Sequence, residues 1–232
     1  LSALLGIPPV YKVDFNSIAD SNGAVVQHVF FYGDEDGVTS YKSFMSLFNG
    51  KPEWKITKSA EWVKITSTSG KPYTIYANLP LDYKQDLDQQ AQQHLVEYLV
   101  KNKINPTVVV HRGHSYHLKY TIQQMLPSSR IVMLGSCGGY QNLSKILHVN
   151  EDAHIISTKQ VGSFSVNEPI LRALNETIRN GKNVEWIPLW QQISTSVKGD
   201  ARASELLKDY VPPHKNLGAI FIKAYVKATG EM

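Results

Sequence analysis

Residues 130–140 read Arg-Ile-Val-Met-Leu-Gly-Ser-Cys-Gly-Gly-Tyr, and the fold turns on how this stretch is read. Ile131 to Leu134 is an unbroken apolar run between a charged residue and a glycine, the pattern of a strand covered on both faces of a parallel sheet. Cys137, the single cysteine among 232 residues, follows just past that strand's carboxyl end. Gly135, Ser136, Gly138 and Gly139 leave little bulk around it, so the chain can turn sharply and a substrate chain can come close. In open α/β sheets the carboxyl ends of the strands are where ligands bind.

Immediately upstream, residues 107–110 form a second short, β-branched strand that runs into His111-Arg112-Gly113-His114-Ser115-Tyr116-His117. Between the two strands, residues 118–126 have helical spacing, and Pro127-Ser128-Ser129 stops them. A right-handed βαβ unit of this length sets the two strand ends side by side, one carrying histidines and the other a thiol. Imidazole beside thiol is the arrangement that yields a thiolate nucleophile near neutral pH.

Further out, residues 25–32 read as the first core strand, followed by Gly33-Asp34-Glu35-Asp36-Gly37 and a helix over 40–48. The carboxylates fit turn and helix N-terminal positions, with selection of a cationic substrate group or help in holding a metal as alternatives. Residues 54–57, 62–67 and 73–77 form a hairpin or meander turning at 69–72, and 82–102 the longest helix. After the cysteine come a helix over 142–147, a strand over 153–157 and a helix over 166–180 with Gly181 at its C-cap. This alternation predicts an α/β fold, a mostly parallel central sheet with helices on both faces. Three segments follow: an irregular lead-in over 1–24, an α/β core over 25–185, and a helical C-terminal extension over 186–232 packed on that core, with helices at 188–197, 202–210 and 216–229.

Composition closes off several classes of function. The net charge of +4 and pI near 9.0 come from scattered lysines and arginines, with no basic cluster and no nucleic-acid module, so nucleic acid is not the expected partner. The longest apolar runs fall short of the roughly 20 residues of a membrane-spanning helix. One cysteine excludes an internal disulfide framework and leaves the compartment open, export included. The start at Leu1 rather than Met is the expectation for part of a longer precursor.

The motifs VVVHRGHS at 108–115 and IVMLGSCG at 131–138, with the strand and helix that follow, resemble those of the caspase-like cysteine peptidases, the group that includes caspases, gingipains, legumain, clostripain and separase. The likeness spans residues 25–181 in architecture and about 15 residues in motif. It implies a caspase-like three-layer sandwich, a peptide or protein substrate, no cofactor, and a dyad of Cys137 as nucleophile with His114 as general acid and base. His111 is the alternate base, since alternate strand residues face opposite ways. The family usually carries His-Gly here; this chain has Gly113 before His114 and Ser115 after it. The implied oxyanion donors are the amides around Cys137, among them Gly138, with Ser115 or Gly113. Family members that cleave after Arg or Lys use a pocket carboxylate, and Asp34 and Asp36 are the candidates, with Gln160 a further substrate contact in the loop at 158–163.

Two other readings stay open at this level. His111, His114 and His117 recur every third residue, and with Cys137 they supply ligand types suited to zinc, which describes a His-rich metal-binding hydrolase. A caspase-like fold without catalysis, serving as an interaction module in a longer protein, is the other.

Overall fold

The structure is a computed structural model and describes residues 10–230. In chain order its strands are β1 (Lys12–Val13), β2 (Val25–Phe31), β3 (Trp54–Lys58), β4 (Trp62–Ser67), β5 (Tyr73–Asn78), β6 (Val108–Arg112), β7 (Ile131–Leu134), β8 (His154–Thr158), β9 (Val184–Glu185) and β10 (Tyr210–Val211). The α-helices are α1 (Glu35–Met45), α2 (Leu87–Lys101), α3 (Leu118–Gln124), α4 (Leu143–Val149), α5 (Phe164–Arg179), α6 (Trp186–Ser196), α7 (Ala201–Leu207) and α8 (Leu217–Thr229). One sheet takes eight strands in the order β10-β8-β7-β6-β2-β5-β4-β3, and its centre, β8 through β5, is parallel.

Period-two alternation assigns each strand residue to a layer. Val29 and Phe31, Val108 and Val110, Ile131 and Met133 pack with α1, α5, α6 and α7 in one core. Their neighbours Phe30, Val109, Val132 and Leu134 pack with α3, α4 and α8 in the other, and α2 covers Tyr76 on β5 through Leu95 and Leu99. The chain is therefore α/β, a mostly parallel sheet between two helical layers, as the strand-helix alternation predicts.

Several boundaries moved for local reasons. The helix expected at 40–48 begins at Glu35 because the Asp34 carboxylate caps it, accepting from the Gly37 amide at 2.7 Å. The meander expected at 54–77 is present, and β5 joins the main sheet parallel to β2. Residues 202–210 are not one helix: α7 ends at Leu207, and Tyr210 and Val211 pair antiparallel with Thr158 and Ser157 as an edge strand. The extension thus contributes a strand to the sheet. The lead-in is packed as well, since β1 pairs with β9 and Phe15 and Ile18 are buried; its residues 1–9 lie outside those described. Among the described residues no helix is long and apolar enough to cross a membrane.

After β2 the chain enters α1 on one face, and after β6 it enters α3 on the other. Adjacent strands whose connections leave to opposite faces open a crevice at their carboxyl ends. That crevice positions the site.

Candidate functional site

Two loops meet at the crevice, Gly33–Asp34 after β2 and Gly113–His114 after β6, and the Gly135–Gly138 turn after β7 closes its third side. His114 and Cys137 line one cleft of about 290 Å³ there, together with Asp36, Gly113, Asn167 and Arg202. Cys137 is exposed.

Each of the three histidines takes a different partner. His114 leaves the strand and turns its Nε2 to Asp36 Oδ2 at 2.8 Å. His117 gives its Nε2 to Asp34 Oδ2 at 2.8 Å and stacks on Tyr32 with centroids 4.0 Å apart. His111, on the β6 face that meets α3, is fully buried: Nδ1 lies 2.7 Å from Thr121 Oγ1, and Nε2 lies 3.2 Å from both the Gly113 and His114 carbonyls. With two carbonyls at Nε2, that nitrogen carries the proton and Nδ1 accepts from Thr121. Burial pushes its pKa down to about 3, so the ring is neutral. His111 is therefore a brace that holds the loop carrying His114, and its place as alternate base is corrected. Among the described residues no three His, Cys, Asp or Glu side chains group to hold a metal ion.

The carboxylates are spoken for too. Asp34 caps α1 and also accepts from Tyr116 Oη at 3.1 Å, leaving no part of it to a substrate cation. Burial would raise its pKa, but the Gly37 amide, His117 and Tyr116 together hold it below the usual carboxylate value. Its candidacy as a pocket carboxylate is corrected. Asp36 does line the cleft, as the partner of His114.

Gly138 sits at φ 65° and its amide donates to the Gln160 carbonyl at 2.8 Å, so it is not an oxyanion donor. The same bond turns the loop at Gln160 back on the cysteine turn, and Gln160 does not line the cleft, which corrects both assignments. The Cys137, Gly113 and Ser115 amides donate to no carbonyl among the described residues. Gly113 has no room for a side chain because a Cβ would enter the Tyr32 ring. The glycine before His114 is thus required by packing against an aromatic.

Much of the cleft comes from residues that carry no local motif. Asn167 on α5 donates to the Gly135 carbonyl at 3.1 Å and accepts from Tyr210 Oη at 2.9 Å, while the Ser163 amide donates to the same tyrosine oxygen at 2.8 Å. Thr158 donates to the Ser136 carbonyl and accepts from the Gly139 amide, pinning the turn on both sides of Cys137. Arg202 and Leu206, both on α7, also line the cleft. Beneath it Arg112, on the α5 face of β6, pairs with Glu168 at 2.9 Å, both buried. Burial raises the Glu168 carboxyl against the pull of the guanidinium.

No protein-family model and no curated protein matches the chain. A solved structure of an S. thermophilus NFeoB mutant bound to GDP is similar at 12% identity, covering 87% of this chain and 88% of that one, with a TM-score of 0.32.

Proposed function

We propose that the chain is a cysteine peptidase of the caspase-like kind, acting on peptide or protein substrates through Cys137 and His114. The observation that carries the reading is their shared cleft at the crevice between oppositely wound strands, with His114 oriented by Asp36. Asp36 occupies Nε2, so His114 Nδ1 is the nitrogen that exchanges protons with the thiol. Nδ1 takes the Cys137 proton as sulfur attacks the peptide carbonyl, and the C–N bond then breaks as the amine leaves with that proton. Water next gives a proton to His114 while its oxygen attacks the thioester, the C–S bond breaks, and the thiol is restored. The Cys137 amide with that of Ser115 or Gly113 faces the oxyanion, each donor worth about 3 kcal/mol in comparable sites.

The test is cleavage of a mixed peptide library by the purified chain and by Cys137→Ala. Cleavage lost in the variant supports the reading. Equal cleavage by both, or none by the parent while its fold is intact, refutes it, and the second result returns the chain to the non-catalytic module.

A further inference from the structure

The helices α3, α4 and α8, which cover one face of the sheet, carry no carboxylate: residues 98–150 and 210–230 contain no Asp or Glu, although both stretches hold lysines. Lysines that look scattered along the chain are therefore sorted by the fold. Lys119 on α3 and Lys145 and His148 on α4 line one open groove whose apolar residues are Ile122 and Val149. Lys119, Lys145 and, on α8, Lys227 are exposed and have no carboxylate partner among the described residues. Two acids follow α4: Asp152 pairs with Arg130 at 2.8 Å, and it and Glu151 act on Lys223, which is half-buried and adds nothing to the surface.

The last helix of the layer adds apolar surface to the same side. Gly218 lets α8 close on α4, since its amide donates to Tyr140 Oη at 3.0 Å and a Cβ there would meet Tyr140 and Leu143. Ala219 is the buried residue of α8. Leu217 and Phe221 each stand two residues from it, about 200° around the helix, so they point away from the sheet. At 73% and 71% they are the most exposed large apolar side chains among the described residues.

We infer that this face docks on an anionic bilayer surface, with Leu217 and Phe221 entering the headgroup region and Lys119, Lys145 and Lys227 meeting lipid phosphates. Charge complementarity is one ground: cations without acids across three helices repel a second copy of the chain and attract an anionic plane. The projecting apolar pair is the other. Nucleic acid would answer the lysines and leave Leu217 and Phe221 in water, whereas a bilayer interface yields around such side chains without a preformed pocket. Among the described residues no helix is long and apolar enough to cross a membrane, so the attachment is to one leaflet. The cleft of Cys137 lies at the strand ends, not behind this layer, and stays open when the face is occupied. Docking here does not depend on the peptidase reading.

The experiment is co-sedimentation of the purified chain with sucrose-loaded vesicles of phosphatidylcholine, alone or with roughly a third phosphatidylglycerol, at neutral pH and low salt. Binding to the anionic vesicles is expected to exceed binding to the neutral ones at least about tenfold and to fall as salt rises. Lys119→Glu with Lys145→Glu should lower it at least about tenfold, since each lysine near such a surface is worth about fivefold. Lys55→Glu with Lys58→Glu makes the same charge change on β3, at the far edge of the sheet, and should leave binding within about twofold. Leu217→Ser with Phe221→Ser should weaken it at least about fivefold. All these positions are exposed, so the variants keep the fold, which circular dichroism checks. Equal sedimentation with both vesicle types, equal loss from the two charge-reversed pairs, or full binding by the serine variant overturns the inference. No sedimentation with either vesicle type overturns it too, and leaves the face to an acidic protein surface.

Discussion

His114 Nε2 and Asp36 Oδ2 stand 2.8 Å apart, joining the loop after β6 to the first turn of α1. A carboxylate in that position fixes which imidazole nitrogen faces the thiol and stabilises the imidazolium when it forms. Asp36→Asn should therefore lower kcat by at least about tenfold, a modest part of what general acid-base catalysis contributes, with KM nearly unchanged. Steady-state kinetics on one peptide substrate checks it; an unchanged kcat would remove Asp36 from the machinery.

His111 and His114 should separate cleanly in stability. His111→Ala leaves the Thr121 hydroxyl and two loop carbonyls without their buried partner and should cost about 2–4 kcal/mol in urea denaturation. His114→Ala, on a half-exposed ring, should stay within about 0.5 kcal/mol while activity disappears.

The buried imidazoles also set an acid limit. His28, His111 and His154 are each pushed down to about 3 by burial, from an ordinary value of 6.5. Between those values the unfolded chain binds protons that the native one refuses. Stability is then complete above pH 6.5 and falls as pH drops toward 3, by up to about 1.4 kcal/mol per pH unit for each ring. Thermal melts from pH 7.5 down to 4.5 should show Tm declining from about pH 6.5; a flat profile would contradict the burial of these rings.

Gly113→Ala tests the contact between the histidine loop and the sheet. A Cβ there enters the Tyr32 ring, which is fully buried and hydrogen-bonded to Thr121 at 2.7 Å, so it is the loop that must move. A destabilisation of about 1–3 kcal/mol is expected, together with a loss of activity larger than that destabilisation explains at 25 °C. Full activity in a folded variant would show that the position of His114 tolerates this displacement.

Arg112 and Glu168 make the remaining prediction. Removing one partner strands a buried charge, so Glu168→Ala should cost about 3–5 kcal/mol, whereas Arg112→Met with Glu168→Leu should recover most of it. Denaturant midpoints of the parent and the two variants decide the matter.

The sequence by itself determined the layers and the two motif positions. Apolar strands a few residues long, separated by amphipathic helices, have one economical arrangement, and the alternation within β6 already sends His111 and Arg112 to opposite faces. The adjacency of the β6 and β7 ends follows from a crossover helix too short to reach elsewhere. What each polar side chain does there is settled only by neighbours distant in the chain. Three histidines at equal spacing look alike in sequence. In the fold one is a buried brace because Thr121 and two carbonyls surround it, one is stacked and tied to Asp34, and one opens onto the cleft beside Asp36. Asp34 and Asp36 likewise read alike in sequence, as turn or helix N-terminal carboxylates or as a substrate pocket, until the crevice brings the histidine loop against them. The part of the cleft formed by α5 and α7, with Asn167, Arg202, Leu206 and the Tyr210 that braces Asn167, carries no local signature, because its residues come together only when the C-terminal extension adds its strand to the edge of the sheet. Short-range pattern records which face a residue is on, and tertiary contact decides what it meets.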